Sequence, residues 1–208
     1  MRTYLRIILD TIFPPTDHER LLRQVSPATF SRHYQLSINE HCYTLAPYYS
    51  RTVQAAVAAC KFEKNHHAAL LLATLLERWL SEHSVTDTTI LLPIPLSPAR
   101  EQERGFNQVT RVLESTLLPP RHTIQTHWLK RSINTTRQTS LGRADRLQNM
   151  KGVFTTSPHI LVVDWSKIDR VIICDDVMTT GATLAAARTE LQKVVPKRVQ
   201  IICVAWAH

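Results

Sequence analysis

The sequence has little glycine and no closely spaced cysteines. Only four of its 208 residues are glycine, so its turns depend on Pro, Asn, Asp and Ser. The four cysteines, Cys42, Cys60, Cys174 and Cys203, are widely spaced and include no CxxC pair. Isolated cysteines of this kind, two of them within apolar runs, are typical of buried thiols in a reducing compartment and argue against a disulfide framework.

Long apolar runs and a secretory leader are lacking as well. The longest strongly apolar run, residues 68–76, is far shorter than the roughly 20 residues that a membrane-spanning helix needs. Near the N-terminus Asp10 interrupts the apolar stretch, and no small-residue cleavage site follows it, which is atypical of a signal peptide. We therefore expect a cytoplasmic protein without a membrane span.

Basic residues outnumber acidic ones, with 25 Lys and Arg against 17 Asp and Glu and a formal net charge of +8. A protein of this charge favours polyanions or small phosphorylated ligands as partners. The hydrophobic fraction of 44% suffices for one sizeable core.

Strand and helix patterns alternate along most of the chain. Helices are predicted from Ser50, from His66 with Asn65 as its N-cap, and from Asn107. Apolar strands are predicted at residues 88–93, 125–129, 171–174 and 198–206, with an amphipathic helix ended by Pro196 before the last of them. This alternation predicts an α/β fold with a doubly wound, mostly parallel sheet.

Residues 1–47 differ from the rest of the chain. Four prolines interrupt them, so we expect an irregular N-terminal cap or appendage segment there. The main domain is then predicted to span residues 48–208.

The stretch VIICDDVMTTGATL, residues 171–184, carries the most specific signal. In open α/β sheets ligands bind beyond the carboxyl ends of the strands, and Asp175 and Asp176 follow the strand VIIC directly. Because side chains alternate along a strand, both acids face solvent only if the chain has left the strand. We therefore predict that the strand ends at Cys174.

The residues after the two acids have the composition of a phosphate-binding turn. Converging backbone N–H groups, hydroxyl donors and the N-terminus of a following helix all favour an anion. The acids beside it are suited to sugar hydroxyls or to a bound cation. The implied ligand has a phosphate, a diol and Mg²⁺. Two alternatives are an ordinary Asp-rich loop before a capped helix and an acidic phospho-acceptor pocket, which leaves the TTGAT run unexplained.

Residues 171–183 resemble the fingerprint of the type I phosphoribosyltransferases at every position. The resemblance implies that Asp175 and Asp176 contact the ribose hydroxyls of 5-phosphoribosyl-1-pyrophosphate (PRPP). The pair would also be the catalytic acids, and the sequence predicts no direct protein ligands for the Mg²⁺ cofactor, which would arrive with PRPP. The 5′-phosphate would be bound by Thr179, Thr180, Gly181, Ala182 and Thr183.

The segment LLPIPLSPAREQERGFNQ, residues 91–108, resembles the pyrophosphate-side loop of one branch, the ComF or competence-protein-F family, which includes GntX-like proteins. The resemblance implies that Arg100 and Arg104 donate to pyrophosphate, with Gly105 letting the backbone approach closely. A solvated arginine pair at a helix start is the alternative. Lys61 with Phe62 resembles a short KF step near the ligand entrance of the family.

Residues 130–151 carry six basic residues and one acid. They resemble the family's flexible hood loop, which closes over the reacting centre and excludes water. Read without the family, the segment is a mobile phosphate-seeking tract or a solvated linker. The residues expected to act in this loop are Arg131, Arg137, Gln138, Arg143 and Arg146.

Many members of the family begin with a zinc-binding segment that has paired cysteines. Here Cys42 is the sole cysteine among the first 47 residues. A tetrahedral structural site needs about four N or S ligands, and His18, His33, His41 and Cys42 have no recognisable ligand spacing, so we expect no zinc. The resemblance implies a phosphoribosyltransferase-like protein acting in DNA uptake during natural transformation, with single-stranded DNA and the uptake machinery as partners.

Whether catalysis is retained stays open from the sequence. The alternative is a non-catalytic PRPP sensor or a single-stranded-DNA-binding accessory protein. Against DNA binding, no aromatic residues are interleaved with the basic tract to stack bases.

Overall fold

The computed structural model describes residues 14–39, 42–83, 87–131 and 152–208. The helices within these ranges are α1 (Asp17–Leu22), α2 (Pro27–Phe30), α3 (Arg51–Phe62), α4 (His66–His83), α5 (Pro98–Arg104), α6 (Gln108–Glu114) and α7 (Ala182–Leu191). The strands are β1 (Ser37–Asn39), β2 (Cys42–Ala46), β3 (Thr89–Pro93), β4 (His122–Ile124), β5 (Leu129–Arg131), β6 (Phe154–Thr156), β7 (Arg170–Val177) and β8 (Gln200–Ala207).

Six strands form one sheet in the order β1-β2-β8-β7-β3-β4. All neighbours pair in parallel except β1, which runs antiparallel to β2 at the edge. Strands β5 and β6 form a separate antiparallel pair. The prediction of an α/β fold with a mostly parallel sheet is confirmed.

Both faces of the central strands are buried, and the alternation of side chains divides the core in two. Ile172 and Cys174 face the cluster built with α3, α4 and α6. Val171 and Ile173 face the cluster built with α7, β5 and β6. Continuous apolar runs such as VIIC are the expected sequence for strands covered on both sides.

The predicted helix caps are confirmed. The Asn65 side chain accepts from the Ala68 backbone N–H at 3.0 Å, immediately before the long helix α4. The Asn107 side chain accepts from the Val109 N–H at 2.9 Å and opens α6. Each asparagine satisfies a donor that has no partner inside its helix.

The prediction of an irregular N-terminal segment is wrong. Residues 17–39 and 42–46 contain regular elements, since β2 lies in the main sheet beside β8 and Leu22 and Phe30 are buried in the core. Their elements are only three to six residues long, which is too short to show a hydrophobic period. The division of the chain at residue 47 stays a prediction.

The strand predicted at residues 125–129 is also misplaced. Strand β4 ends at Ile124, the Gln125 N–H donates to the Leu91 carbonyl, and β5 begins only at Leu129. The predicted strand therefore corresponds to the turn between two three-residue strands, β4 and β5.

None of the helices in the described part of the chain is both long and apolar enough to cross a membrane.

Candidate functional site

The two adjacent acids lie at the carboxyl end of β7, between β3 and β8 in the sheet. The prediction that the strand ends at Cys174 is wrong. Asp175 lies opposite Ala205 and Val177 opposite Ala207, so pairing with β8 continues past both acids. Neighbouring residues on a strand point to opposite faces, and the contacts of the two carboxylates differ accordingly.

Asp176 forms an ion pair with Lys61, with 2.9 Å between Lys61 Nζ and Asp176 Oδ2. The two side chains are only 21% and 14% exposed. The Gln108 amide donates to the same carboxylate oxygen, and Arg104 Nη1 donates to Gln108 Oε1 at 2.9 Å. Residues from α3, α5 and α6 therefore hold the Asp176 carboxylate fixed in direction.

Asp175 has a different electrostatic environment. Burial, together with the negative charge of Asp176, raises the pKa of this carboxyl to about 7. The Asp176 backbone N–H, which donates to Asp175 Oδ1 at 2.8 Å, opposes the rise, as do the positive charges of Lys61 and Arg131. Asp175 is thus a carboxylate whose charge is incompletely compensated by the protein.

Two arginines that the sequence singled out lie on the Asp175 side. Burial lowers the pKa of Arg131, the charge of Arg100 lowers it further, and Asp175 acts in the opposite direction. Arg131 also lies over the Phe154 ring at 5.7 Å. The fold therefore brings Arg100 from α5 and Arg131 from β5 close enough to repel each other, although 30 residues separate them in sequence.

The loop after β7 enters helix α7 through a left-handed glycine. Gly181 adopts the left-handed region at φ +75° and immediately precedes α7. The Ala182 N–H donates to Thr180 Oγ1 at 3.4 Å, and the first N–H groups of a helix have no acceptors within it. Thr179 is exposed, while Thr180 and Thr183 are half-buried. The loop thus presents hydroxyls and helix N–H groups beside the acids.

The structure gives a conformational reason for a glycine at position 105. Its N–H closes α5 on the Glu101 carbonyl at φ +69°, and a side chain there would meet nothing nearer than Lys64 Nζ at 3.9 Å. The left-handed helix end by itself requires a glycine here, and the close approach of its backbone to pyrophosphate stays a prediction. Arg104 is directed to Gln108 and to the ring of Phe62, whose centroid is 5.1 Å away.

The remaining predicted loop residues, Arg137, Gln138, Arg143 and Arg146, lie outside the described residues. Among the described residues no three His, Cys, Asp or Glu side chains form a group that could hold a metal ion. The carboxylates of Asp175 and Asp176 are the acidic groups at this edge of the sheet that a ligand-borne cation would meet.

Sequence reasoning missed the role of Gln108. Gln108 is the last residue of the segment LLPIPLSPAREQERGFNQ, and its buried amide links Arg104 to Asp176. The signal was present in the helix period, because Gln108 and Val112 lie four residues apart on the buried face of α6. A glutamine at such a position needs polar partners.

An aromatic and basic surface beside this edge was also missed. We call Phe62, Lys64, Arg104, Phe106 and Arg111 the aromatic–basic surface. Phe62 is 64% exposed under the Arg104 guanidinium, and Phe106 lies under Lys64 at 5.5 Å and Arg111 at 4.6 Å. These aromatic residues come from separate segments, so no interleaved pattern marks them in the sequence.

Comparison with known proteins finds two curated competence proteins. The chain is 35% identical to competence protein ComFC of Bacillus subtilis over 105 residues, which is 50% of this chain and 39% of that protein. It is 31% identical to competence protein F of Haemophilus influenzae over 125 residues, which is 57% of this chain and 51% of that protein. The chain therefore spans 39% and 51% of the lengths of these relatives, and no family model matches it.

Proposed function

We propose that this chain, which the two matches assign to the ComF family, binds PRPP together with Mg²⁺ at the carboxyl end of β7. The observation that carries the proposal is the juxtaposition of two dissimilar acids with an anion-binding turn at one edge of a mostly parallel sheet. The topology is compatible with the type I phosphoribosyltransferase fold, which we infer as part of the same proposal.

The 5′-phosphate would lie on the loop before α7. Residues 179–183 offer hydroxyl and backbone donors and no charge that repels a phosphate. The helix dipole of α7, a helix of ten residues, adds to the attraction.

The ribose would lie against the two acids. Asp176, held by Lys61 and Gln108, is positioned to accept from a ribose hydroxyl in a fixed direction. Asp175, whose pKa is raised, gains most from a hydroxyl donor or a cation brought by the ligand. The two acids have different proposed roles because their side chains point to opposite faces of the sheet.

The pyrophosphate would lie toward Arg100 and Arg131. Two guanidinium groups close enough to repel each other would be stabilised by an anion between them. Each can donate charge-assisted hydrogen bonds to phosphate oxygens. Mg²⁺ carried by the pyrophosphate would neutralise charge on the leaving group. Transfer of the phosphoribosyl group is the reaction class that this arrangement supports, and we propose it as the activity.

The cellular role follows from the relatives. Both are named competence proteins, which supports a role for this chain in competence. We propose that it acts in the cytoplasm during DNA uptake in natural transformation.

Calorimetric titration of PRPP, with and without Mg²⁺, tests the site. We expect Mg²⁺-dependent binding that weakens at least tenfold in Asp175→Asn and in Asp176→Asn, and that is unchanged in the control Asp17→Asn, an exposed acid on α1. Equal binding by native protein and both site variants would contradict the proposal. The thermal midpoint of each variant shows whether it is folded.

A second candidate ligand, single-stranded DNA, is favoured by the aromatic–basic surface. Two phenylalanine rings, each flanked by a cation, provide the stacking and phosphate contacts that bind unpaired strands. Phe62 is adjacent in sequence to Lys61, which contacts Asp176. A strand on this surface would therefore lie next to the proposed PRPP site.

Fluorescence anisotropy with a labelled oligothymidine tests this second candidate. We expect Phe62→Ala to weaken binding about tenfold, and Arg111→Gln to lower the slope of log affinity against log salt by about one. The control is Tyr49→Ala, an exposed aromatic residue outside the surface. An equal effect of Phe62→Ala and Tyr49→Ala would rule the surface out.

A further inference from the structure

A cleft lies at the amino-terminal end of β8, at the side of the sheet opposite to the carboxyl end where the two acids lie. Its volume is about 560 Å³, within the range of small-molecule sites. It is formed by the C-terminal end of α7, residues 195–199 and the first residues of β8, with Tyr43 of β2 beside them. The polar residues that line it are Tyr43, Arg188, Gln192, Lys197 and Gln200.

Arg188 is the unusual residue of this cleft. Its Nε is buried and has no hydrogen-bond partner, and its guanidinium forms no ion pair within the described ranges. A cation in the last turn of a helix is favoured by the helix dipole, but a buried donor without an acceptor costs about 1 to 3 kcal/mol. The protein therefore retains a half-buried guanidinium whose Nε has no acceptor among the described residues.

The charge of the cleft is entirely positive. Lys197 is exposed and likewise has no ion-pair partner among the residues that the structure describes, and no described Asp or Glu lines the cleft. Gln192 and Gln200 add neutral amides, and the half-buried Ile201 gives an apolar wall. Two cations with an apolar wall are complementary to an organic anion rather than to an inorganic ion alone.

The cleft is separate from the proposed PRPP site. Asp175 lies opposite Ala205, four residues along β8 from Ile201, which corresponds to about 13 Å along a strand. Helix α7 nevertheless joins the two places, since Ala182 begins it at the TTGAT loop and Arg188 lies in its last turn.

We propose that this cleft binds an organic phosphate of nucleotide size, with the phosphate on Arg188 and Lys197 and the organic part against Tyr43 and Ile201. The proposal does not depend on PRPP binding, because the two sites share no residue. An anion here neutralises two cations, Arg188 and Lys197, that have no ion-pair partner among the described residues.

Titration of the full chain with AMP, adenosine and inorganic phosphate tests the proposal, with the methyl NMR signals of Ile201 and Val199 as the readout. AMP is expected to shift these signals saturably, and adenosine or phosphate at the same concentration much less. Arg188→Met should weaken AMP binding at least tenfold and Lys197→Gln about threefold. Asp176→Asn and the control Arg20→Gln, a surface arginine on α1, should leave it within twofold.

The stability of the ligand-free variants separates a binding role from a structural one. If Arg188 is present for a ligand, Arg188→Met should have a thermal midpoint at or above that of the native protein, because an unsatisfied buried donor is removed. A lowered midpoint with unchanged AMP shifts would overturn the proposal. Equal shifts with AMP and adenosine, or AMP shifts confined to the Asp175 edge, would overturn it as well.

Discussion

At the scale of single residues, Asp175 and Asp176 show how adjacent and identical side chains acquire different properties. The strand directs them to opposite faces. Asp176 meets Lys61 and the Gln108 amide. Asp175 is half-buried, and its charge is partly compensated by the Asp176 backbone N–H, Lys61 and Arg131. Perturbed carboxylates of this kind are concentrated at functional sites.

The raised pKa of Asp175 predicts a definite pH dependence of stability. Its folded-state pKa of about 7 exceeds the unfolded value near 4, so the folded state binds this proton more tightly. The contribution of Asp175 to stability therefore falls as pH rises from about 4 to about 7, and the destabilisation is fully present above pH 7.

Asp175→Asn removes that dependence. Relative to the native protein, its unfolding free energy should increase with pH, reaching an advantage on the order of 2 to 4 kcal/mol at pH 8. Urea unfolding of both proteins at pH 5 and pH 8 measures the difference. If the difference in unfolding free energy between the two proteins is the same at pH 5 and pH 8, Asp175 is not the titrating group.

At the scale of secondary-structure elements, the loop into α7 depends on a left-handed glycine. Gly181 has φ +75° and Gly152 has φ +71°. An alanine at either position would cost about 1 kcal/mol of backbone strain. At Gly181 its Cβ would meet the Met178 side chain at an ordinary contact distance of 3.7 Å, and at Gly152 nothing within 4 Å.

The two glycines form a matched pair for a test of the loop. Gly181→Ala and Gly152→Ala should lose similar amounts of stability in chemical denaturation, since both residues are left-handed. Only Gly181→Ala should weaken PRPP binding, because it alters the backbone donors that face the 5′-phosphate. Equal PRPP affinities in the two variants would mean that the loop does not bind the phosphate.

At the scale of the whole molecule, the segment before Pro47 contributes to the same core as the central sheet. Leu22 packs into the cluster that contains Trp79 and Trp206. Strand β2 pairs with β8, and the Tyr48 N–H donates to the His208 carbonyl at 2.8 Å. These contacts connect early residues to the end of the chain.

Adjacent leucines on α1 test whether that segment unfolds with the rest. Leu22 is 1% exposed and Leu21 is 45% exposed. Leu22→Ala should cost about 2 to 5 kcal/mol of global stability, and Leu21→Ala less than about 1 kcal/mol. The measurement is urea unfolding followed by tryptophan fluorescence. A small loss in Leu22→Ala, or a separate early transition, would show an independent appendage.

How much of this fold the sequence predicts depends on the length and regularity of each element. Helix α4 and strand β8 have long apolar patterns, and the sequence predicts their positions closely, with the Asn65 and Asn107 caps. It also predicts the start of β7 but not its end, because the two acids that extend the strand to Val177 are not apolar. Strands β1, β4, β5 and β6 have three residues each. A three-residue strand shows no period, so its position is fixed by pairing partners distant in sequence.

The candidate site shows the same contrast between local sequence patterns and contacts made by distant residues. The sequence by itself determined the α/β alternation, the excess of positive charge and the run DDVMTTGAT, because these are local properties of neighbouring residues. Only the tertiary structure decided that Asp176 pairs with Lys61 through Oδ2, that Arg100 approaches Arg131, and that Phe62 and Phe106 lie among cations. Such contacts join segments that are far apart along the chain, and they depend on how helices and strands pack, which no local pattern records.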